Sequence, residues 1–584
     1  MSETSGGEVL ARMLQAEGVE KVFGIIDGTY FGFYSNLHKL GIEIVTPRHE
    51  TCAAHMAGAY ARLTGKLGVC MASNGPGVAN LLPGLAVENA EGNRVLAITS
   101  CRRPQIVYPD RGGTYQSFDQ VGAISHLAKW SHAVVSFDRV AELGRTALRH
   151  CWEGRPGVVH LDVPETVMNG KFKADVPTWQ PHQYRRTEPQ LPIPAQVERA
   201  AQMLAEAELP IIHAGSGVIH AGAYDELRRV AELLHAPVTT SWAARGVLPE
   251  TNELAIPMPF IPVNNEVRND ADLVLVVGSR LGETDWWGKA PYWRHPSEQQ
   301  MIQVDTDGHV LGANKPAALA VLADAKLFLA ALAERLAALG GQMNMDARRL
   351  KVAKYRDKIA GERARLDEKL ADMDVPMNPA HVAHTCQQVF PTGSVLVADG
   401  GNAAVWAMMF SESRVPNSIL STFKMGMLGA GVAQACGAAV ARPAHPVCCI
   451  IGDGAMGFHP QEVETAVRNG LRVVFVVVCD RQWGMVKMNQ QFMLKPIKTM
   501  IRKSLGPDET INADLGEIRF DDLGRSMGAH GERVADPRDL KAALERSIAS
   551  GTAAVVHVDV DPVKHMWAPG LMHFKDMHLE PKGR

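Results

Sequence analysis

The sequence predicts an α/β protein built from three domains, each with a parallel β-sheet. Short apolar runs typical of buried strands alternate with helical segments along the whole chain, the rhythm of parallel sheets connected by helices. The chain has 584 residues, too many for one hydrophobic core, which stops growing near ~250–300 residues. Its composition, 46% apolar and 21% charged, is typical of an ordinary globular protein.

The first predicted domain spans residues 1–180. Helices are expected at Gly6–Glu17, Thr51–Thr64 and Val78–Glu88. The expected strands are Val22–Ile26, Ile42–Val45, Leu67–Ala72, Arg94–Thr99 and Val158–Val163. A proline-rich stretch, 170–195, then suits an extended linker.

The second predicted domain spans 196–345, and the third spans 379–565. Strands are expected at Pro210–His213, Leu273–Val277 and Met301–Val304 in the second domain, and at Ser394–Ala398, Pro446–Ile451, Val473–Cys479 and Ala554–Val560 in the third. Ala318–Leu339 is predicted to be helical, and the charged segment 341–378 is predicted to connect the two domains. Residues 566–584 are predicted to form a C-terminal arm.

The net charge, the length of the apolar runs and the cysteine spacing exclude several classes of protein. The net charge of -3 gives no overall field that attracts nucleic acid or an anionic membrane. No apolar run reaches the ~18–20 residues that span a bilayer, and the polar start of the sequence does not resemble a signal peptide. The nine cysteines show no CxxC spacing. We therefore expect reduced thiols, no zinc site and a cytoplasmic protein.

The turn Gly452-Asp453-Gly454-Ala455 follows the third domain's strand at 446–451. Glycines let a main chain approach phosphate, the following helix N-terminus favours negative charge, and an Asp there can bind a divalent cation. By itself the turn is equally typical of an ordinary strand-to-helix connection. The next strand, however, ends in Asp480-Arg481-Gln482, so two aspartates are expected side by side at one edge of a sheet.

This pair resembles the motif of thiamine diphosphate-dependent enzymes, in which a Gly-Asp-Gly turn is followed, one helix and one strand later, by Asn-Asn. The resemblance implies that Asp453, Asp480 and the carbonyl of Gln482 bind Mg²⁺ against the cofactor's diphosphate. The sequence departs from the motif because Cys479-Asp480 replaces Asn-Asn. Aspartate remains a hard oxygen ligand, but the second charge is expected to make cofactor affinity more dependent on pH.

The resemblance extends to Glu50, which opens the helix after Arg48-His49. In the family, a glutamate here hydrogen-bonds N1′ of the cofactor's aminopyrimidine and so promotes removal of the C2 proton. In isolation, Glu50 is also a typical carboxylate at a helix N-terminus. Gln116 lies in a segment similar to the one that carries the family's active-site glutamine.

Other turns resemble cofactor-binding segments of the family, although each is also typical of ordinary turns or core. Leu428 is expected to be the apolar wedge under the bent cofactor, and Gly426 is expected to bind the pyrimidine edge. The remaining residues implied by the resemblance are Pro76 and Asn80 beside the pyrimidine, and Gly401, Asn402, Ala403, Gly452, Gly454 and Ala455 beside the diphosphate.

Within the family, the sequence is most similar to the acetolactate synthase branch, which includes sulfoacetaldehyde acetyltransferase-like and 2-hydroxyacyl-CoA lyase-like enzymes. Val486 stands where pyruvate decarboxylases carry a second catalytic glutamate, which favours carboligation after decarboxylation of a 2-oxo acid. A flavin-dependent oxidase and a non-catalytic subunit remain alternatives. Gly215, Gly217 and Gly278 are compatible with FAD in the second domain or with no nucleotide. The resemblance implies a homodimer or homotetramer with small-molecule substrates and active sites between subunits.

Overall fold

The computed structural model describes residues 3–107, 112–340, 343–571 and 573. They form three α/β domains, each built on one parallel sheet of five or six strands. Of the predicted C-terminal arm, residues 572 and 574–584 lie outside the described part of the chain. None of the helices in the described ranges is both long and apolar enough to cross a membrane.

The first domain contains a six-stranded parallel sheet in the order β3-β2-β4-β5-β7-β6, and the short strands β1 and β8 pair antiparallel beside it. The strands are β1 (Glu3–Thr4), β2 (Lys21–Gly24), β3 (Glu43–Val45), β4 (Gly68–Ala72), β5 (Val95–Cys101), β6 (Trp130–Ala133), β7 (Val158–Pro164) and β8 (Phe172–Lys173). The helices are α1 (Gly6–Ala16), α2 (Phe31–Lys39), α3 (Glu50–Thr64), α4 (Pro76–Glu91), α5 (Pro104–Val107), α6 (Gln120–Ser125), α7 (Val140–Trp152) and α8 (Glu165–Met168).

The second domain contains a five-stranded parallel sheet in the order β10-β9-β11-β12-β13. The strands are β9 (Pro210–Ala214), β10 (Val238–Thr240), β11 (Leu273–Val277), β12 (Gln300–Asp305) and β13 (Leu319–Leu322). The helices are α9 (Pro194–Glu206), α10 (Ser216–Ala221), α11 (Tyr224–Leu234), α12 (Ile261–Asp270) and α13 (Ala325–Ala338), and the connecting helix α14 (Met345–Asp367) follows.

The prediction of one helix over Ala318–Leu339 was wrong in its first part. Residues Leu319–Leu322 form the edge strand β13, which pairs in parallel with β12. Alternate residues of β13 are buried and exposed, the period of a strand with one face on the core. Because the segment is rich in Ala and Leu, helix propensity concealed that period, and sheet pairing overrode it.

The third domain contains a six-stranded parallel sheet in the order β15-β14-β16-β17-β19-β18. The strands are β14 (Leu396–Asp399), β15 (Ile419–Leu420), β16 (Val447–Gly452), β17 (Val473–Cys479), β18 (His530–Val534) and β19 (Ala554–Asp559). The helices are α15 (Ala380–Val389), α16 (Asn402–Phe410), α17 (Ala430–Ala441), α18 (Asp453–Met456), α19 (Glu462–Arg468), α20 (Gly484–Leu494), α21 (Pro496–Arg502), α22 (Phe520–Ser526), α23 (Pro537–Ala549) and α24 (Pro562–Met566).

The first and third domains share one topology, because their parallel strands occupy equivalent positions in the same order. They pack together through α3 and α17, whose buried faces are rich in Ala and Gly. A Cβ atom at Gly437 would lie 2.5 Å from the carbonyl oxygen of Met56. Only small residues permit this close approach, so the sequence of α17 sets the distance between the two domains.

Candidate active site

The two predicted metal-binding aspartates come together at one edge of the third domain's sheet. Asp453 follows β16 and Asp480 follows β17, and these strands are parallel neighbours. Burial, followed by the negative charge of Asp480, raises the pKa of Asp453 to about 6. Two carboxylates in this arrangement repel each other unless a cation or a proton lies between them, so the pair has the chemistry of a divalent-cation site.

Backbone N–H groups hold the Asp453 carboxylate in place. Its Oδ1 accepts a hydrogen bond from Gly454 N at 2.7 Å, and its Oδ2 accepts one from Arg481 N at 2.7 Å. The second contact ties the turn after β16 to the loop after β17. Arg481 has a φ of +56°, so that loop turns sharply at the residue whose N–H contacts Asp453.

Asp480 is 6% exposed and is surrounded by polar partners. Its Oδ1 accepts from Gln482 N at 3.2 Å, and its Oδ2 accepts from Gln482 Nε2 at 3.1 Å. His565 Nδ1, from α24, lies 2.6 Å from the same Oδ2. His565 was not predicted, because no sequence motif connects it with an aspartate 85 residues earlier.

Asn402, the first residue of α16, lies beside this pair. A Cβ atom at Gly484 would be 2.7 Å from Asn402 Nδ2 and 3.3 Å from Asp480 Oδ2. Asn402 is 3% exposed, yet neither polar atom of its side chain has a hydrogen-bond partner among the described residues. A buried amide without partners is costly and points to a ligand, and its N–H donors match a diphosphate oxygen.

The turn that precedes Asn402 approaches the Gly-Asp-Gly turn closely. Gly400 has a φ of +99°, and a Cβ atom there would lie 3.4 Å from Gly452 N. Ala403 Cβ would be 3.5 Å from a Cβ atom at Gly452. The predicted residues Gly401, Asn402, Ala403, Gly452, Gly454 and Ala455 thus belong to two adjoining turns at the ends of β14 and β16, which fit a diphosphate and its cation.

Asp399, at the end of β14, stabilises these turns through hydrogen bonds. Its carboxylate accepts from Gly400 N at 2.5 Å and from Gly431 N at 2.7 Å, and burial raises its pKa to about 6. Gly431 belongs to α17, so Asp399 connects the Asn402 turn with the segment that precedes α17. That segment contains Leu428, which is partly buried against the core shared by the first and third domains.

Glu50 is the first residue of α3. Asn80 Nδ2 donates a hydrogen bond to Glu50 Oε2 at 3.1 Å. A Cβ atom at Gly77 would lie 3.5 Å from Glu50 Oε1, so the turn that starts α4 at Pro76 lies beside the carboxylate. The structure therefore brings Glu50 and Asn80 together, beside the turn that starts at Pro76.

Gln116 is exposed and has a φ of +51°. Its main chain, not its side chain, contacts the turn before α4: its carbonyl accepts from Asn74 Nδ2 at 2.8 Å. The buried glutamine is Gln120, whose Oε1 accepts from Gly75 N at 2.8 Å and whose Nε2 donates to Asp162 Oδ1 at 2.9 Å. Sequence reasoning missed the role of Gln120 in supporting the turn beside Glu50.

A cavity of about 970 Å³ lies at the carboxyl ends of the second domain's strands. Its wall includes the glycine turns after β9 and β11, which touch each other: a Cβ atom at Gly217 would lie 2.5 Å from Gly278 Cα. Arg155, Arg280 and Asp305 also line it. Cations, close glycine turns and a carboxylate at a strand end together suit a nucleotide.

The three domains match three parts of one enzyme family. Residues 4–123 match the thiamine pyrophosphate enzyme N-terminal TPP binding domain, residues 197–332 match the central domain, and residues 399–558 match the C-terminal TPP binding domain. Each TPP binding domain contains one of the clusters described above: Glu50 lies in the N-terminal one and Asp453 in the C-terminal one.

The chain is similar over almost its full length to several enzymes. It is 28% identical to a probable acetolactate synthase large subunit of Methanocaldococcus jannaschii, with 96% of this chain and 92% of that protein covered. It is 28% identical to the acetolactate synthase isozyme 2 large subunit of Escherichia coli, with 96% and 97% covered. It is 28% identical to sulfoacetaldehyde acetyltransferase of Castellaniella defragrans, with 94% and 91% covered. Because all three domains match this one family, the chain belongs to the thiamine pyrophosphate-dependent enzymes.

Proposed function

We propose that the chain uses thiamine diphosphate and Mg²⁺ to break and form carbon–carbon bonds, with acetolactate synthase-like carboligation after decarboxylation of a 2-oxo acid as its reaction. The observation that carries the proposal is the arrangement of Asp453, Asp480 and Asn402. It combines a paired-carboxylate cation site with a buried, unpartnered amide beside it. The bound thiazolium supplies the electron sink for cleavage of the substrate bond.

Each predicted residue has a part in holding the cofactor. Asp453, Asp480 and the carbonyl of Gln482 are the proposed Mg²⁺ ligands, all of them hard oxygen donors. Asn402 and the backbone of Gly401, Ala403, Gly452, Gly454 and Ala455 bind the diphosphate. Leu428 supports the bend of the cofactor, and Gly426, with a φ of +58°, leaves its main chain open to the pyrimidine edge.

Glu50 is the proposed catalytic carboxylate. Its Oε2 accepts a hydrogen bond from Asn80 at 3.1 Å. Its Oε1 is then available to exchange a proton with a ring nitrogen. The hydrogen bond from Asn80 fixes the orientation of the carboxylate. Proton transfer through a positioned carboxylate is the contribution expected of general acid–base catalysis.

Val486, in the first turn of α20, bears on the fate of the substrate carbon. It is 50% exposed on the helix that follows the proposed metal loop. An isopropyl group has no proton to donate, which favours bond formation with a second carbonyl compound over release of an aldehyde.

The test is a turnover assay with thiamine diphosphate and Mg²⁺ on 2-oxo acids, sulfoacetaldehyde and 2-hydroxyacyl-CoA compounds, with products identified by mass spectrometry. A 2-hydroxy-2-methyl-3-oxo acid formed from pyruvate supports the proposal. An acetyl-transfer product from sulfoacetaldehyde, or cleavage of a 2-hydroxyacyl-CoA, instead supports one of the two alternative activities. Aldehyde as the main product contradicts the role given to Val486. The chain is an enzyme, so the alternative of a non-catalytic subunit is set aside.

A second candidate is an FAD-containing 2-oxo acid oxidase, and the central cavity favours it. The cavity has the glycine turns, the arginines and the strand-end Asp305 that suit a nucleotide. Leu281, Trp286 and Trp287 near it have φ values of +51°, +52° and +54°, and strain of this kind is often retained at functional sites. A flavin absorption spectrum after gentle purification, with oxygen uptake that depends on a 2-oxo acid, supports the oxidase. Colourless protein with full activity contradicts it.

The active form is proposed to be a homodimer or homotetramer in which each active site is shared by two copies, as the family resemblance implies. Exposed apolar side chains in the first and third domains support it: Phe31 and Tyr115 are 57% and 74% exposed, and Met493 and Ile497 are 84% and 78% exposed. Apolar surface of this kind marks interaction sites. Light scattering on the purified protein tests the stoichiometry, and a monomer that remains active contradicts the proposal.

A further inference from the structure

Two buried glutamates connect the first and third domains. One belongs to the third domain and contacts the first, and the other belongs to the first domain and contacts the third. Glu462, at the start of α19 in the third domain, is 0% exposed, and Glu91, at the end of α4 in the first, is 3% exposed. Each carboxylate binds main-chain N–H groups of the other domain. In both cases the bound segment leads directly into residues that face the proposed cofactor.

Glu462 holds the segment that enters α3. Both of its oxygens accept from Arg48 N, at 3.0 and 3.1 Å, and its carboxylate also interacts with the N–H of His49. Thr465 Oγ1 donates to it at 2.7 Å. Burial raises the pKa of Glu462, and these hydrogen bonds oppose the rise. Arg48 and His49 are the two residues before Glu50, so the main chain is held at the point where the catalytic side chain begins.

The same helix contacts this segment a second time. Arg468 donates from Nη1 to Thr46 Oγ1 at 2.8 Å and from Nη2 to the Thr46 carbonyl at 2.7 Å. The rings of His49 and His459 are 5.5 Å apart. Helix α19 therefore contacts residues 46–49 at several points. The helix before it in the chain is α18, which begins at Asp453.

Glu91 makes the reciprocal contact. Its Oε1 accepts from Lys424 N at 2.7 Å and from Met425 N at 3.4 Å. Gly426 and Leu428, the proposed pyrimidine-side residues of the third domain, come next in the chain. Burial is the main cause that raises the pKa of Glu91, so the carboxylate depends on these N–H donors for its stabilisation.

We propose that Glu462 and Glu91 are reciprocal positioning residues. Glu462 of the third domain fixes the position of Glu50, and Glu91 of the first domain fixes the position of the Gly426–Leu428 segment. The inference rests on the proposed function, since it assigns both segments to the cofactor. Hydrogen bonds to an ionised carboxylate are stronger than those between neutral groups, and catalytic groups must be held within about 0.5 Å of their working geometry. A contact through the main chain achieves this without adding a side chain to the active site.

The first test uses the protein without cofactor. Amide hydrogen–deuterium exchange is measured in Glu462→Gln and Glu91→Gln, and in Glu250→Gln as the matched control. Glu250 is also buried and also crosses domains, accepting from Ser413 N at 2.8 Å, but it lies away from both segments. We expect Glu462→Gln to speed exchange over residues 46–50 by about tenfold and Glu91→Gln to do so over 422–428. Glu250→Gln is expected to change neither segment.

The second test separates positioning from a general loss of stability. Glu462→Gln is expected to bind thiamine diphosphate within about threefold of wild type but to slow C2 hydrogen exchange of the bound cofactor by about tenfold or more, because a displaced Glu50 loses proton-transfer efficiency. Glu91→Gln is expected to weaken cofactor binding by about tenfold, because its segment contacts the cofactor directly.

Equal effects of all three variants, confined to the melting temperature, would overturn the proposal. If Glu462→Gln does not fold, Arg468→Ala loosens the same segment and is expected to reproduce its exchange pattern at 46–50. Failure of wild-type protein to bind thiamine diphosphate would refute the proposed function, whereas the amide-exchange result still decides whether the two glutamates hold their segments.

Discussion

His565 Nδ1 lies 2.6 Å from Asp480 Oδ2, and both side chains are almost fully buried. Asp480 stands where the family motif has an asparagine, so the site contains two carboxylates where one is usual. The imidazole from α24 and the side-chain amide of Gln482 both contact the extra carboxylate oxygen. These contacts allow Asp480 to remain buried beside Asp453.

The first prediction concerns pH. The pKa of Asp453 is raised to about 6 by burial and by Asp480, and a metal ligand must be deprotonated. Mg²⁺ and cofactor are therefore expected to bind at pH 7.5. Their affinity is expected to weaken as the pH falls through 6, by about tenfold for each further pH unit. Titration calorimetry at a series of pH values measures it, and a dissociation constant that stays flat between pH 7.5 and 5 contradicts it.

The second prediction isolates the contribution of Asp480. Asp480→Asn removes the neighbouring charge that helps to raise the pKa of Asp453, so that pKa falls and cofactor binding persists to lower pH. The amide retains one oxygen for the cation. The measurement is the same titration series on the variant. A midpoint unchanged from wild type would show that burial alone sets the pKa of Asp453.

The third prediction concerns Asn402. Because its side chain has no partner in the described structure, Asn402→Ala is expected to leave the melting temperature unchanged or raised. Loss of a hydrogen bond to a charged ligand is expected to weaken cofactor binding by about 10- to 100-fold. Asn264→Ala is the control, since its buried amide donates to the Pro257 and Phe260 carbonyls. The control should lose thermal stability and keep cofactor affinity.

The fourth prediction concerns Glu50, the proposed catalytic carboxylate. Glu50→Gln keeps the shape and the contact with Asn80 but cannot exchange a proton, so kcat is expected to fall by about 10²- to 10⁴-fold. Cofactor affinity is expected to change little. Steady-state kinetics and calorimetry measure the two quantities. Glu43→Gln, an exposed change on β3, is the control, and turnover near wild type in Glu50→Gln would refute the assignment.

The fifth prediction tests whether active sites are shared between copies. Glu50→Gln and Asp453→Asn should each be inactive alone. When the two are unfolded together and refolded as a mixture, random pairing is expected to restore about a quarter of wild-type activity, because each mixed dimer then contains one intact site. If each chain forms its own complete site, the mixture stays inactive.

The sequence by itself determined the fold class, most strands and the nearness of Asp453 to Asp480. Buried strands such as Leu273–Val277 and Val473–Cys479 were predicted with their observed bounds, because both are short, valine-rich apolar runs, and that length and β-branched composition favour a strand over a helix. Asp453 and Asp480 could be paired because parallel neighbouring strands end at one edge. The edge strands were harder: β18, His530–Val534, is mostly polar and half-exposed, so it has no apolar run.

The tertiary structure alone decided the contacts that hold the clusters in place. His565 reaches Asp480 across 85 residues, and Glu462 reaches Arg48 across 414. The contacts of the buried Gln120 with Gly75 and Asp162 are likewise visible only in the structure. Local pattern records which face of an element is apolar, but a hydrogen bond between distant segments depends on how domains pack. Here the small residues of α3 and α17 set that packing.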